Sequence, residues 1–304
     1  MHKRDSHLFY VLQALLVTFL WSTSWVLIKI GINDISPIVF ASLRYTLACL
    51  VLLPFLLFSN SSKENLKSIE KKDWINLFWL GLVFYFLTQG LQFVALKYIP
   101  AVNASLFLNF SSLITAFLGI YFLNEILRTT QWIGVMIFLA GVLTYFLPLN
   151  FGKGEVIGYA AITTQVFTNS AASILGRKIN STKRINPLVV TVVSMGIGSV
   201  LLLVTGLAAE GFPVLNLKSW AIIVWLAIVN TAFAFTLWNN SLRKLSAVES
   251  SIINNTMLIQ IAILAFFFLG ESKTIKEIIG LLIAVAGVFL VNYKYNVKRT
   301  KASL

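Results

Sequence analysis

The chain has 304 residues, of which 58% are hydrophobic and only 12% charged, with a formal net charge of +13. A soluble domain of this length would carry about a quarter charged residues, so a water-soluble enzyme or binding module is excluded. The basic residues lie mainly between long apolar blocks, which marks the charge as a topology signal and not as a nucleic-acid footprint.

Crossing hydrocarbon of about 30 Å takes about 20 helical residues. Backbone amides in lipid must be satisfied within the segment, so the apolar blocks are helices. Ten spans are predicted, near 8–29, 37–58, 74–96, 102–123, 131–147, 155–176, 187–209, 219–240, 248–269 and 275–293. The first is too long for a signal-peptide core and is expected to stay as helix one. Ser36-Pro37 opens the second span, as a cap residue followed by a proline at the first helical position. Residues 59–73 form the longest polar connection and read as a cytoplasmic loop, and Asn186-Pro187 opens the seventh span as Ser36-Pro37 opens the second. All six prolines (Pro37, Pro54, Pro100, Pro148, Pro187 and Pro213) lie at or near predicted helix ends. The spans are therefore expected to be continuous, without the unwound middles that some carriers use. Cys49 is the only cysteine, so no intramolecular disulfide can form.

The chain repeats itself at an offset of 146 residues. Trp74, Trp79, Ala101, Val102, Ser105, Asn109, Glu125, Gly134, Ala140, Gly141 and Val142 recur as Trp220, Trp225, Ala247, Val248, Ser251, Asn255, Glu271, Gly280, Ala286, Gly287 and Val288. Apolar matches mean little in such a composition, but Trp, Asn, Glu and Gly in one register mark a duplication. Residues 1–148 and 149–304 form the two repeats, with five spans each. An odd number of spans puts the second copy into the membrane upside down. The expected fold is thus all-α and integral to the membrane, with ten transmembrane helices as two inverted five-helix repeats. That architecture suits alternating access around a central site.

If the amino terminus is cytoplasmic, six basic residues face the opposite side: Lys29, Lys97, Lys153, Lys218, Lys273 and Lys276. Arg44 lies inside a helix, and the other 17 of the 24 basic residues are cytoplasmic. The positive-inside rule then places both termini in the cytoplasm of a multi-pass cell-membrane protein.

Candidate ligand groups are the polar and aromatic residues carried into the membrane. They are Trp21, Ser24, Arg44, Tyr45, Trp79, Tyr85, Gln89, Asn109, Gln165, Asn169, Asn230 and Asn255. Any single Ser or Asn suits an interhelical hydrogen bond of about 1 kcal/mol or less, and Trp79, near a span end, equally suits an interfacial anchor. As a set, the amides exceed what packing needs. They fit a wet cavity for a small neutral, zwitterionic or aromatic organic molecule. Arg44 lies about 10 Å deep by helical rise. With Lys29, it can attract an anionic group such as a carboxylate, or it can snorkel or bind carbonyls at a helix end. Glu125 and Glu271 follow the last apolar residue of a helix; each can couple protons or clasp the amino-terminal amides of the following helix. Gly134, Gly141, Gly280, Ala284 and Gly287 form small-residue faces for packing or for a homodimer. With no metal cluster, nucleotide loop or Ser/His/Asp set, neither enzyme chemistry nor a cofactor is expected.

Phe19-Leu20-Trp21-Ser22-Thr23-Ser24-Trp25, Lys29, Ile35-Ser36-Pro37, Phe40-Ala41 and Leu43-Arg44-Tyr45 resemble the opening helices of the EamA-like family of the drug/metabolite transporter superfamily. The repeated signature from Ala101 to Val142 and from Ala247 to Val288 resembles that family too. The resemblance implies two inverted five-helix halves and a carrier of small metabolites such as amino acids, sugars, nucleosides or drugs. Two features depart from the family pattern: Ser112 and Leu258 stand where a proline is often found, and Ser22 stands where a glycine is common. The resulting expectation is a secondary transporter, most plausibly exporting an amino acid or an aromatic or amphiphilic metabolite. The alternative is a non-transporting membrane protein, such as a lipid scramblase or sensor partner. Substrate and lipid bilayer are the expected partners, and nucleic acid is not.

Overall fold

The computed structural model describes residues 2–123, 129–148, 152, 154–181, 184–211, 213–242, 245 and 247–292. All regular structure among them is helical. In chain order the first half comprises α1 (His2–Gly31), α2 (Pro37–Phe58), α3 (Asn60–Lys67), α4 (Lys71–Leu80), a π-helical segment (Gly81–Thr88), α5 (Gln89–Tyr98), α6 (Ala101–Leu108), α7 (Phe110–Leu123) and α8 (Thr129–Phe146). The second comprises α9 (Glu155–Ser181), α10 (Pro187–Glu210), α11 (Leu217–Ala227), a second π-helical segment (Ile228–Phe233), α12 (Ala234–Leu242), α13 (Ala247–Asn255), α14 (Met257–Leu269) and α15 (Ile275–Asn292).

Seven stretches are long and apolar enough to cross a membrane: His7–Gly31, Pro37–Phe58, Lys71–Tyr98, Thr129–Phe146, Pro187–Glu210, Leu217–Trp238 and Ile252–Leu269. The other predicted spans are helical but fall outside that set; Ala101–Thr115 is a shorter apolar helix, and α9 carries Thr, Gln, Asn and Ser along its length. Pro187 starts α10 as expected, with the Asn186 side chain accepting from the Leu188 amide at 2.9 Å. Ser36 occupies the cap position of α2 but makes no such bond. The polar connection after α2 is not a plain loop. It holds α3, whose Ser62 amide donates to the Ser59 hydroxyl at 3.3 Å.

The duplication is visible in the element boundaries, since α8 and α15 start and end 146 residues apart. These two helices cross through their glycines. A Cβ added at Gly287 would lie 2.2 Å from the Phe138 nitrogen and 2.8 Å from the Gly134 oxygen. One at Gly141 would lie 2.3 Å from the Ala284 nitrogen and 2.7 Å from the Gly280 oxygen. Moving forward along α8 from Gly134 to Gly141 moves backward along α15 from Gly287 to Gly280. Equivalent helices of the two repeats therefore run antiparallel, and each uses the same patch on the other, as a twofold axis requires. The pair α2 and α10 behaves the same way, with Val39 beside Gly206 and Cys49 beside Gly196. The small-residue faces of α8 and α15 pack against each other within one chain. The outer faces, with Trp132, Met136, Leu143, Ile279 and Leu282, are apolar and exposed.

Two expectations need correction. The helices are not continuous, although none of the described spans unwinds into extended chain. The hydrogen-bond ladder widens to π spacing at Gly81–Thr88 and again at Ile228–Phe233, where Ile228 stands 146 residues after Leu82. It breaks at Asn109 and at Thr256, at nearly the same place in each repeat. The repeated tryptophans also point outward: Trp74, Trp79, Trp220 and Trp225 are 43%, 50%, 37% and 50% exposed. Trp79 is thus on the perimeter, as an interfacial anchor would be, and not among the ligand groups.

The glycine crossing predicts a sharp contrast between substitutions. Gly141→Val and Gly287→Val force backbones apart, at about 1–3 kcal/mol or more each. Their melting temperatures in detergent should fall by several degrees. Gly176→Ala, whose Cβ meets nothing closer than Leu80 Cδ1 at 4.0 Å, should leave the melting temperature unchanged or raise it slightly. An unchanged melting temperature for Gly287→Val would contradict the crossing.

Candidate functional site

The two breaks have a common cause. At the first, the Asn109 Nδ2 donates to the Ser105 carbonyl at 2.8 Å, one turn back on its own helix. At the second, the Thr256 hydroxyl donates to the Ile253 carbonyl at 2.6 Å. Side chains that bond back to their own helix compete with the amide ladder and bend it. Main-chain bonds shorten to three-residue spacing there, from Asn109 N to Leu106 O at 3.2 Å and from Thr256 N to Ile253 O at 3.1 Å. Threonines stabilise the π segments similarly: Thr88 donates to the Val83 carbonyl and Thr231 to the Leu226 carbonyl, both at 2.8 Å and five residues back.

Between the two breaks lies a cavity of about 140 Å³, bounded by α1, α6, α7, α9, α13 and α14. Its polar lining comes from Ser105, Asn109, Ser111, Ser112, Asn169, Asn254 and Asn255, with Trp25, Leu108, Met257, Leu258 and Ile261 supplying the apolar wall. At about 30 Å³ per water, the space holds a handful of waters or a small organic group. Asn169 donates to the Ser111 hydroxyl at 3.1 Å. The Asn255 Nδ2 is buried without a partner, and so is the Oε1 of Gln165, one turn before Asn169 on α9. Buried amides left open in this way are what an incoming polar molecule can bind. Among the described residues three hollows are larger, the third being one of about 480 Å³ beside Asn103, Tyr145 and Tyr159. An opening of about 600 Å³ lies among solvent-facing Glu64, Asn65 and Arg184, and a groove of about 670 Å³ between α2, α10 and α12 is walled by outward-facing Phe55 and Phe233.

The predicted ligand residues thus separate into groups. Asn109, Asn169 and Asn255 meet at the cavity. Trp21, Ser24 and Asn230 meet elsewhere: the Asn230 Nδ2 lies 2.9 Å from the Ser24 hydroxyl and 3.0 Å from that of Thr23, and it also donates to the Leu20 carbonyl. Trp21 Nε1 donates to the Asn230 carbonyl at 3.1 Å. This cluster joins α1 to the second π segment, and only the Asn230 Oδ1 is left without a partner. Arg44, Tyr45 and Tyr85 form a third group, with the guanidinium 5.2 Å from the Tyr45 ring centroid and the two tyrosine rings 5.8 Å apart. Gln89 is half-buried and lines none of these cavities. Trp25, Asn254, Ser105, Ser111 and Ser112 also line the cavity; Ser105 and Ser111 look like ordinary packing residues in an apolar helix.

One end of the bundle is tied together by charged side chains bonded to main-chain groups. Glu271 accepts from the Ala101 amide at 2.7 Å and from the Val102 amide at 3.3 Å. It was expected to clasp the helix that follows it, but it clasps the start of α6 in the other repeat. A carboxylate there meets both free amides and the positive helix end. Lys29 caps the neighbouring helix end, donating to the Leu96 and Ile99 carbonyls at 2.5 and 2.8 Å, so it does not face the cavity. Asn103, Tyr145 and Tyr159 are linked by bonds of 2.7 and 2.8 Å around the same opening. Glu125, the equivalent of Glu271, lies outside the described residues.

Comparison with known proteins is consistent with this geometry. The sequence profile of the EamA-like transporter family matches residues 8–147 and 156–293. An uncharacterized transporter of Archaeoglobus fulgidus is 26% identical over 92% of this chain and 96% of its own length. A probable amino-acid metabolite efflux pump of Salmonella typhimurium is 25% identical, over 99% and 98%. An S-adenosylmethionine/S-adenosylhomocysteine transporter of Chlamydia muridarum is 24% identical, over 84% and 82%. A solved crystal structure superimposes with a TM-score of 0.67 at 20% sequence identity, covering 93% of this chain and 96% of that one, and so shares the fold.

The clasp is testable by amide exchange. Glu271→Ala removes a cap of about 0.5–2 kcal/mol, so exchange at Ala101 and Val102 should accelerate roughly tenfold. Glu271→Gln, which keeps one acceptor oxygen, should fall between. Equal exchange in all three proteins would show that the carboxylate does not tie this end together.

Proposed function

Because the chain belongs to the EamA-like transporter family, we propose that it is a secondary carrier that moves a small organic metabolite across the cell membrane by alternating access. The seven apolar spans, with the helices at 101–123, 155–181 and 275–292, make ten crossings in this reading. Residues 1–148 and 149–304 are the inverted halves, and both termini face the cytoplasm by the placement of basic residues. The observation that carries the proposal is the amide-lined cavity between two helix breaks that occupy matching places in the repeats. A site on the pseudo-twofold axis can be exposed to either side by rocking the halves, since each half can close what the other opens.

The lining contains amides and hydroxyls, a tryptophan and no carboxylate, which suits a small zwitterionic or aromatic molecule. Two relatives carry the name of probable amino-acid metabolite efflux pump, which supports an amino acid or a related metabolite as substrate and export as the direction. A scramblase reading needs a hydrophilic stripe open to lipid, whereas these polar groups converge inside.

Substitution at the cavity separates transport from stability. Asn255→Leu removes a buried donor that has no partner, so the melting temperature should hold or rise. Transport of amino acids in proteoliposomes should nevertheless fall by at least about tenfold, as should that of Asn109→Leu. Trp79→Leu, on the perimeter, should retain most of the wild-type rate. Full transport by Asn255→Leu and Asn109→Leu would remove the cavity from the pathway.

A further inference from the structure

Arg44 is 6% exposed and its Nε donates to the Thr231 hydroxyl at 3.2 Å. A guanidinium carries five N–H donors. Among the described residues neither Nη group has a hydrogen-bond partner, and no carboxylate pairs with it. Among the described residues the hydroxyls of Tyr45 and Tyr85, which are 3% and 4% exposed, have no hydrogen-bond partner either. The arrangement therefore gathers a fixed positive charge and two phenols, donors without an acceptor, inside a membrane protein. Isolated buried charges are costly, and among the described residues no carbonyl binds this one. The duplication sharpens the point. With Ser36-Pro37 aligned on Asn186-Pro187, an offset of 150 residues in this front part of the repeats, the equivalent of Arg44 on α10 is Ser194, which bonds to the Val190 carbonyl of its own helix. The charge belongs to one repeat alone, so the pairing of the repeats does not require it.

We propose that Arg44, Tyr45 and Tyr85 form the binding site for the carboxylate of the transported molecule. The inference rests on the carrier reading above and adds the chemical class of the substrate. α1 connects the two places: Trp25 lines the cavity, while Trp21, one turn back, and Ser24, the preceding residue, hold Asn230 beside Thr231, the partner of Arg44. A guanidinium takes a carboxylate through two parallel bonds, and each phenol adds a donor.

The test screens the common amino acids for transport by the full chain in proteoliposomes, then retests each transported one as its carboxamide. The carboxamide keeps the side chain and the ammonium group and loses the negative charge. Wild-type protein should prefer the acid by roughly 10- to 100-fold in KM. Arg44→Gln should bring the acid-to-amide ratio close to one while still transporting the amide. Arg44→Lys should restore part of the preference, because it keeps the charge but not the two-pronged geometry. Tyr45→Phe and Tyr85→Phe should each reduce it several-fold, and they remain readable if Arg44→Gln does not fold. Wild-type acid preference that persists in Arg44→Gln overturns the site, as does a wild-type protein that transports acids and amides equally. A preference that appears only when chloride is removed assigns the site to an inorganic anion and overturns the substrate reading. If wild-type protein transports none of the panel, the amino-acid carrier reading itself fails.

Discussion

Among the carbonyl groups that accept from side chains of their own helix, four lie at the irregular points of this bundle. Ser105 is bonded by Asn109, Ile253 by Thr256, Val83 by Thr88 and Leu226 by Thr231. Inside a bilayer no water can satisfy a carbonyl that loses its amide, so a helix can bend there only if it brings its own donor. The irregularities in these spans meet that condition. Because the donors are part of the helix, the bends need neither proline nor an ion. Two of them open a space between the repeats, and the amides that face it come from the same neighbourhood as the amide that makes the bend.

The repeats are alike where they pack and unlike where they bind. The glycine crossings of α8 with α15 follow the twofold relation, as does the pairing of α2 with α10. Asn109 and Asn255 are equivalent by sequence and both line the cavity. At other positions, some of them in the cavity lining, the symmetry lapses. Arg44 corresponds to Ser194, Asn103 corresponds to Glu249, and the serine-rich stretch at Ser111 and Ser112 corresponds to Met257 and Leu258. Duplication supplies the matching helix contacts, and divergence gives the cavity lining an uneven polarity.

Much of this was legible in the residues. The register of Trp, Asn, Glu and Gly established the duplication, and an odd number of spans per copy implied the inversion that the glycine contacts display. Three features were hidden for physical reasons. Breaks made by Asn109 and Thr256 leave no proline to notice, and asparagine or threonine in a span has several other uses. Trp79 has the same composition cue whether it faces lipid or ligand, because one residue type serves both roles. The partner of Glu271 is an amide 170 positions earlier in the chain, a distance over which local pattern carries no information. Ser24 and Asn230 join α1 to the second π segment instead of lining the cavity.

The account depends on the two repeats entering the membrane in opposite directions. Asp34, before α2, and Arg184, before α10, are equivalent and both exposed. In a Cys49→Ser background, Asp34→Cys and Arg184→Cys should react with a membrane-impermeant maleimide from opposite sides of sealed cells or vesicles, with Asp34→Cys accessible from outside. Labelling of both positions from the same side would contradict the inverted architecture and the carrier mechanism built on it.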